Sequence, residues 1–378
     1  MSTPSSRLGA ARTDGPPARP TDAPSVLVGV LVPLTRPGWA EAGRHLLAGL
    51  ELGVREVNDA GGIDGRPLEL VVRDTAADPQ RAAAAVDELA GLGVVALAGE
   101  YHSVVARAAA ARADALGLPF LCSSAVLDAL TEQPTEWVAR LAPAQSHGWR
   151  IYAEFLLRAG HRRIAVATQP SVYWASGARI LRDHLTPHGG TVTELDMRTL
   201  TPAAVCDELV DNRATALLLL VGHPELAVPI VESVRRDERL AEVLIGAPAG
   251  QPEFAEWATA LGDDGAGVPF LRYLPERLGP LGARVATALR ERLAEAPSFV
   301  AFEGYDTIAV LAEVLRSSGV DQARTAGFWP DVAVEGSRGH IRFSRVPGIS
   351  VWQWAWTPVH IVDRDPAQPD RFRILHTG

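Results

Sequence analysis

The chain has 378 residues, 47% of them apolar, and a formal net charge of −9. That length suits about two domains, and no apolar run is long enough to cross a bilayer, so no membrane insertion is expected. The acidic balance leaves no basic stripe for nucleic-acid phosphates, and the absence of any lysine excludes a lysine Schiff base, a phosphate-loop lysine and a Ser–Lys dyad.

Residues 1–25 are rich in Pro, Ser, Thr, Ala and Arg and read as a disordered tail. They hold neither the apolar core of a secretory signal nor a cysteine for lipidation, so a cytoplasmic protein is expected unless the true start lies upstream. Val26–Leu31 is an apolar, valine-rich run, as in a parallel strand buried on both faces. A helix follows over Ala48–Val57, with apolar residues at Leu50, Val54 and Val57, and Asn58, Gly61 and Gly62 stop it. Leu68–Val72 is the next strand. Asp78 caps a second helix, with Pro79 in the first turn where no backbone donor is missed. Val94–Ala98 is a third strand and leads into a helix over Val104–Leu116. Farther on, strands at Ile164–Thr168, Ala216–Val221 and Leu244–Gly246 alternate with helices at Ala178–Leu185, Val205–Val210 and Leu226–Arg235. Two helices, Gly282–Ala294 and Ala301–Ser317, then return to the first half, and Gly339–Leu375 reads as two or three strands. The alternation predicts an α/β fold with two parallel sheets.

The stretch NDAGGIDGRPLELVVRDTAADPQRAAAAVDELA, residues 58–90, resembles the first lobe of the type I periplasmic-binding-protein family. The family includes leucine/isoleucine/valine-binding proteins and cytoplasmic amide sensors. The resemblance continues through GEYHS, LPFLCSSAVLDALT, HRRIAVATQPSVYWASGARILRDHL, GHPE and FEGYDTIAVLAEVLRSSG. It implies two Rossmann-like lobes, joined by several crossings, that close on a ligand in the manner of a flytrap. The expected partition is 26–144 with 273–340 for the first lobe, and 145–272 with 341–378 for the second.

Ligands of open parallel sheets sit beyond the carboxyl ends of the strands. There the chain places Tyr101, His102 and Ser103 at a helix start whose backbone donors favour an anion. Ser103 matches the serine that holds the ligand carboxylate in the family, although a helix-cap role is the plainer reading. The next strand end supplies Ser123, Ser124, Ala125 and Val126. Ser124 and Ala125 match the family's backbone-contact positions. Val126 stands where amino-acid binders carry a threonine, and the segment around Pro248 lacks the acid that pairs a ligand ammonium. Glu100 or Glu225 could replace it, though each reads first as a solvated loop acid. Trp39, Tyr101, Tyr173 and Trp174 put aromatics on both lips of the cleft, and Tyr173 matches a family tyrosine that closes over the ligand. His102 and His223 fall in cleft loops of opposite lobes, but two histidines make no metal site. Cys122 and Cys206 fall in different lobes, so no disulfide is expected, and Cys122 reads as a buried, inert thiol. Trp352, Trp354 and Trp356 alternate as on one strand. Glu303 and Asp306 read as structural.

No cofactor, metal or catalytic group is expected. The leading reading is capture of a small polar or amphipathic molecule, of amino-acid, amide or aromatic-acid type, for an ABC permease. The alternatives are a cytoplasmic sensor that signals to a regulatory partner, and a fold repurposed as a biosynthetic enzyme.

Overall fold

The computed structural model describes residues 24–378, so the expected tail lies outside the described residues apart from Pro24 and Ser25. The chain opens with β1 (Val26–Val32), α1 (Ala40–Asp59), β2 (Leu68–Asp74), α2 (Pro79–Gly91), β3 (Ala96–Gly99), α3 (Ser103–Leu116), β4 (Phe120–Cys122) and β5 (Val138–Arg140). It then forms α4 (Gln145–Arg158), β6 (Arg163–Thr168), α5 (Val172–Leu185), β7 (Thr191–Asp196), α6 (Pro202–Asp211), β8 (Ala216–Leu220), α7 (Pro224–Arg236), β9 (Leu244–Gly246), α8 (Ala255–Leu261) and β10 (Phe270–Arg272). The last part contains α9 (Pro280–Leu293), α10 (Phe299–Ser318), α11 (Gln322–Gly327), β11 (Ala333–Gly336), β12 (Gly339–Ser344), β13 (Trp352–Trp354), β14 (His360–Asp365) and β15 (Gln368–Thr377). No helix among the described residues is long and apolar enough to cross a membrane.

The first lobe is built on an eight-stranded sheet, β11-β12-β13-β5-β4-β3-β1-β2. β1 is buried because it pairs in parallel with β2 on one side and β3 on the other. Its side chains alternate between two cores. Val28, Val30 and Val32 pack in the core that holds α1 and α10, whereas Leu31 packs with α2 and α3. The local signals act as expected. Asp78 accepts from the backbone N–H groups of Gln80 and Arg81 at the start of α2. The Asn58 side chain exchanges hydrogen bonds with Leu68 N–H and C=O at 2.8 and 2.9 Å, and so ties the end of α1 to β2.

Two glycines let α1 and α10 cross at backbone distance. A Cβ on Gly49 would lie 1.9 Å from the Ala301 carbonyl oxygen, and one on Gly304 would lie 2.2 Å from that of Leu46. Farther along α10, Glu303 and Asp306 are fully buried and pair with the equally buried Arg338 at 3.2 and 2.8 Å. The Asp306 carboxylate also accepts from Ser337 N–H and Oγ at 2.6 and 2.7 Å, and so fixes the β11–β12 turn. The structural reading of these two acids agrees with this packing.

The second lobe carries the parallel sheet β7-β6-β8-β9. A bridge between Ala247 and Phe270 joins it to β10, which pairs with β14 and β15. This corrects the expected partition, in which everything from residue 341 on belonged to the second lobe. β12 and β13 stay in the first sheet, because β13 pairs in parallel with β5 and the buried Arg140 guanidinium donates to Gln353 at 2.6 Å. Only β14 and β15 return to the second lobe. The tryptophan row also breaks. Trp354 is buried under the Arg338 guanidinium, Trp352 donates to Glu136 at 2.9 Å, and Trp356 lies past β13, exposed.

Candidate functional site

The carboxyl ends of both sheets face a cleft of about 190 Å³. That is below the ~300–1,000 Å³ of drug-sized sites, so the cleft suits a small occupant. The lower wall starts at Glu100, which turns the chain from β3 into α3 in a left-handed conformation, φ +64°. Glu100 is fully buried, not solvated as the sequence suggested. Its carboxyl folds back to accept from Tyr101 N–H and His102 N–H, both at 2.9 Å, and from the Thr75 hydroxyl at 2.8 Å. It thereby takes up the donors just ahead of α3. The N–H groups of Ser103, Val104 and Val105 come next, in the first helical turn, where no intrahelical acceptor exists. Among the described residues nothing else accepts from them, and all three residues line the cleft.

Ser103 is not the helix cap; His102 holds that position. The Ser103 hydroxyl accepts from Leu127 N–H at 3.2 Å and keeps its own proton to donate. The imidazole of His102 is held neutral. Burial pushes its pKa down to about 4, with His223 adding to the effect, and Nε2 accepts from Trp39 N–H at 3.1 Å. The Trp39 ring stacks on Tyr101 at 5.5 Å and meets Phe254 edge-on at 5.8 Å.

The upper wall comes from the start of α5. The sequence suggested a loop here, but Ser171 caps the helix by accepting from Tyr173 N–H, which puts Tyr173 and Trp174 in its first turn. Gln145 holds this turn through the Tyr173 carbonyl at 3.0 Å. Gly222, Ala249, Gly250 and Gln251 close the side, and Tyr273 and Phe299 come from the crossing segments. Burial pushes the hydroxyl pKa of Tyr101, Tyr173 and Tyr273 upward, so all three keep their protons. Among the described residues, none that lines the cleft is an acid or an arginine.

The structure therefore gathers Trp39, Tyr101, His102, Ser103, Ser124, Tyr173 and Trp174 around one space. It leaves out three residues read as site candidates. Ser123 is fully buried, accepts from Gly99 N–H at 3.0 Å and bonds Thr307 at 2.9 Å. Ala125 packs among the alanines of α3. Past Cys122 the strand ends and the chain bends at Ser124, which leaves Ser124 and Val126 on the cleft and Ser123 and Ala125 in the core. His223 lies outside the cleft lining, where Nε2 meets the Pro37 carbonyl at 3.2 Å. Tyr273, Phe299 and Gln251 escaped the sequence reading. An aromatic directly after a strand, as in FLRY, was the usable signal for Tyr273.

The lobes also touch at the lip. The Glu41 carboxylate accepts from the first amides of α8, Ala255 N–H at 2.7 Å and Glu256 N–H at 3.0 Å, and Arg36 pairs with Glu225 and Glu256. Two groups in this region have metal-ligand chemistry: Glu41, His45 and Glu295, and His223, Glu225 and Glu256. Protein partners already engage both. His45 bonds Ser298 and Glu295, and Arg44 and Arg36 face the acids. Cys122 and Cys206 are both free and buried, and burial pushes the Cys122 thiol up to about 12, so it is inert at neutral pH.

Glu100 gives a testable pH dependence. Burial raises its carboxyl from 4.5 to about 7, against the pull of its hydrogen bonds. Between those values the folded chain holds a proton that the unfolded chain has released, so stability falls as pH rises through that window and levels above it. Glu100→Gln lacks this titration. Its melting temperature relative to the wild type should improve from pH 5 to pH 8; a constant difference would show that the carboxyl is not raised.

Residues 25–347 match the profile of the family described as Periplasmic binding protein. Leu/Ile/Val-binding protein homolog 1 of Brucella abortus is 36% identical over 80 residues, 21% of either chain, so the match spans about a fifth of that relative. Leu/Ile/Val-binding protein BraC3 of Rhizobium johnstonii is 23% identical over 78% of this chain and 80% of its own. Among solved structures, the leucine binding protein LivK of Thermotoga maritima superposes with a TM-score of 0.79 at 19% identity, covering 92% of this chain and 97% of the other. A solute binding protein of an ABC transporter from R. palustris, in complex with benzoate, gives 0.78 at 17% identity, covering 93% and 96%. These superpositions share the two-lobed fold described above. With the profile match over most of its length, the chain belongs to the periplasmic binding protein family.

Proposed function

We propose that the chain captures a small carboxylic acid with an apolar or aromatic body and presents it to an ABC permease. Its relatives bear the names of binding proteins, not of enzymes. One observation carries the choice of ligand: an uncharged cleft in which the first turn of α3 opens onto a wall of aromatic rings. A helix amino terminus favours an anion, and the Ser103 hydroxyl has a proton to add to the three amides. The rings of Trp39, Tyr101, Tyr173, Trp174 and Phe299 suit a flat or branched body. The named benzoate complex of a structural neighbour holds a ligand of that outline, and it supports the reading.

Calorimetry with benzoate, phenylacetate and 4-methylpentanoate, each beside its primary amide, tests it. The acids should bind and the amides should bind at least about tenfold more weakly, since charge-assisted hydrogen bonds are the stronger ones. Ser103→Ala should weaken the acids about tenfold. Amides that bind as well as acids, or acids that do not bind at all, would overturn the proposal.

A further inference from the structure

The amides from Tyr101 to Val105 form one continuous run of donors. Glu100 Oε1 takes the first two, Tyr101 N–H and His102 N–H, both at 2.9 Å. The next three open onto the cleft. An anion held there starts at the next amide along from a carboxyl that is itself fully buried.

No cation offsets that carboxyl. Its described partners are the two amides and the Thr75 hydroxyl at 2.8 Å. At the end of β2, Asp74 adds a second negative charge close by, with its own carboxylate held by Thr35, the Leu34 and Ala76 amides and Arg81. At the end of β4, the buried Cys122 keeps its proton, and Arg140 of β5 and Glu303 of α10 act on that thiol. The imidazole of His102, ahead of α3, is neutral. β1 contributes only the Leu31 carbonyl, which accepts from Glu100 N–H at 2.9 Å. A ligand carboxylate would therefore be a second anion at one helix start, and buried like charges disfavour each other's ionised form.

The two oxygens of Glu100 are not equivalent. Oε1 is engaged by N–H donors and must accept. Oε2 faces the Thr75 hydroxyl, which donates to a carboxylate and can turn to accept from a carboxylic acid. A proton on Oε2 thus costs no hydrogen bond. Burial already raises this carboxyl to about 7, so it changes charge near neutral pH.

We propose that a carboxylate captured at the first turn of α3 is bound together with a proton from solvent, which Glu100 takes up on Oε2. The protein then holds the charge equivalent of the neutral acid. At low pH Glu100 is protonated beforehand and the anion meets no opposing charge. At high pH each anion must bring a proton with it, so affinity falls as pH rises. The inference rests on the carboxylate-binding reading and adds a pH preference that reading does not contain.

Calorimetry of the full chain with benzoate and 4-methylpentanoate at pH 7.5, in Hepes and in Tris, reads the proton directly, because the two buffers differ in ionisation enthalpy. About half a proton should be taken up per ligand. Affinity should fall at least about fivefold from pH 6 to pH 8.5, a range over which the ligands stay ionised. Glu100→Gln reproduces the hydrogen bonds of the protonated form. It should bind without proton uptake and with one affinity across that range. Glu303→Gln, with the other buried acid near the cleft neutralised, should retain both effects. Acids that bind the wild type without proton uptake, or an uptake that survives Glu100→Gln or is lost in Glu303→Gln, would overturn the proposal and leave the carboxylate site standing. If no acid binds, both readings fall.

Discussion

Arg338→Ala is expected to lower the stability of the first lobe by about 3–5 kcal/mol, the usual cost of removing one partner from a buried ion pair. The side chains of Arg338, Glu303 and Asp306 are all 0% exposed. Two carboxylates share this guanidinium, so its loss leaves both without a counter-charge. The melting temperature should fall by roughly 10 °C. The deficit should shrink as pH falls toward 5, because acids stripped of their cation relieve the burial cost by taking up protons. A triple replacement with Glu303→Gln and Asp306→Asn should recover part of the loss, since it removes the stranded charges along with the arginine. A loss under about 1 kcal/mol would mean that the network is solvated, contrary to its burial.

Gly49→Ala should be nearly as damaging. The added methyl would meet the Ala301 carbonyl at 1.9 Å and the Tyr305 amide at 2.8 Å, and backbone cannot rotate away as a side chain can. The helices must separate, and α10 carries the Glu303–Arg338 network and Phe299 at the cleft. The cost should reach or exceed the upper end of the ~1–3 kcal/mol typical of overpacking. Ligand affinity should fall as well, because Phe299 moves with its helix. Gly91→Ala is the control. It lies at the end of α2 with nothing within 4 Å of the added carbon, so it should stay within about 0.5 kcal/mol of wild type. Thermal melts of the two variants, side by side, decide the matter. Equal stability would show that α1 and α10 pack more loosely than the structure has it.

Much of the architecture was legible because its signals are local. The valine run of β1, the Asp78–Pro79 helix start and the Asn58 stop all act within a few residues of where they stand. What escaped was set at long range. Nothing near Trp352 says that its strand partner is Ala139, so the return to the second lobe was placed too early. Glu100 looked like a loop acid, and only the left-handed turn that folds it onto its own following amides explains its burial. Ser123 and Ala125 are a different kind of miss. The strand ends at Cys122 and the chain bends at Ser124, so the strand's two-residue period does not carry over to them. His223 matched its motif, yet its place beside Pro37 depends on a loop almost two hundred residues earlier in the chain.

Arg36 and Glu41 bind the second lobe through protein atoms alone, so their contribution is open to the shut form whether or not it is loaded. Each such contact is worth about 0.3–1 kcal/mol, and together they can raise the share of shut, vacant molecules by about tenfold. A looser lip, as in Glu41→Ala, which removes the carboxylate from the Ala255 and Glu256 amides, would shift that balance away from the shut form.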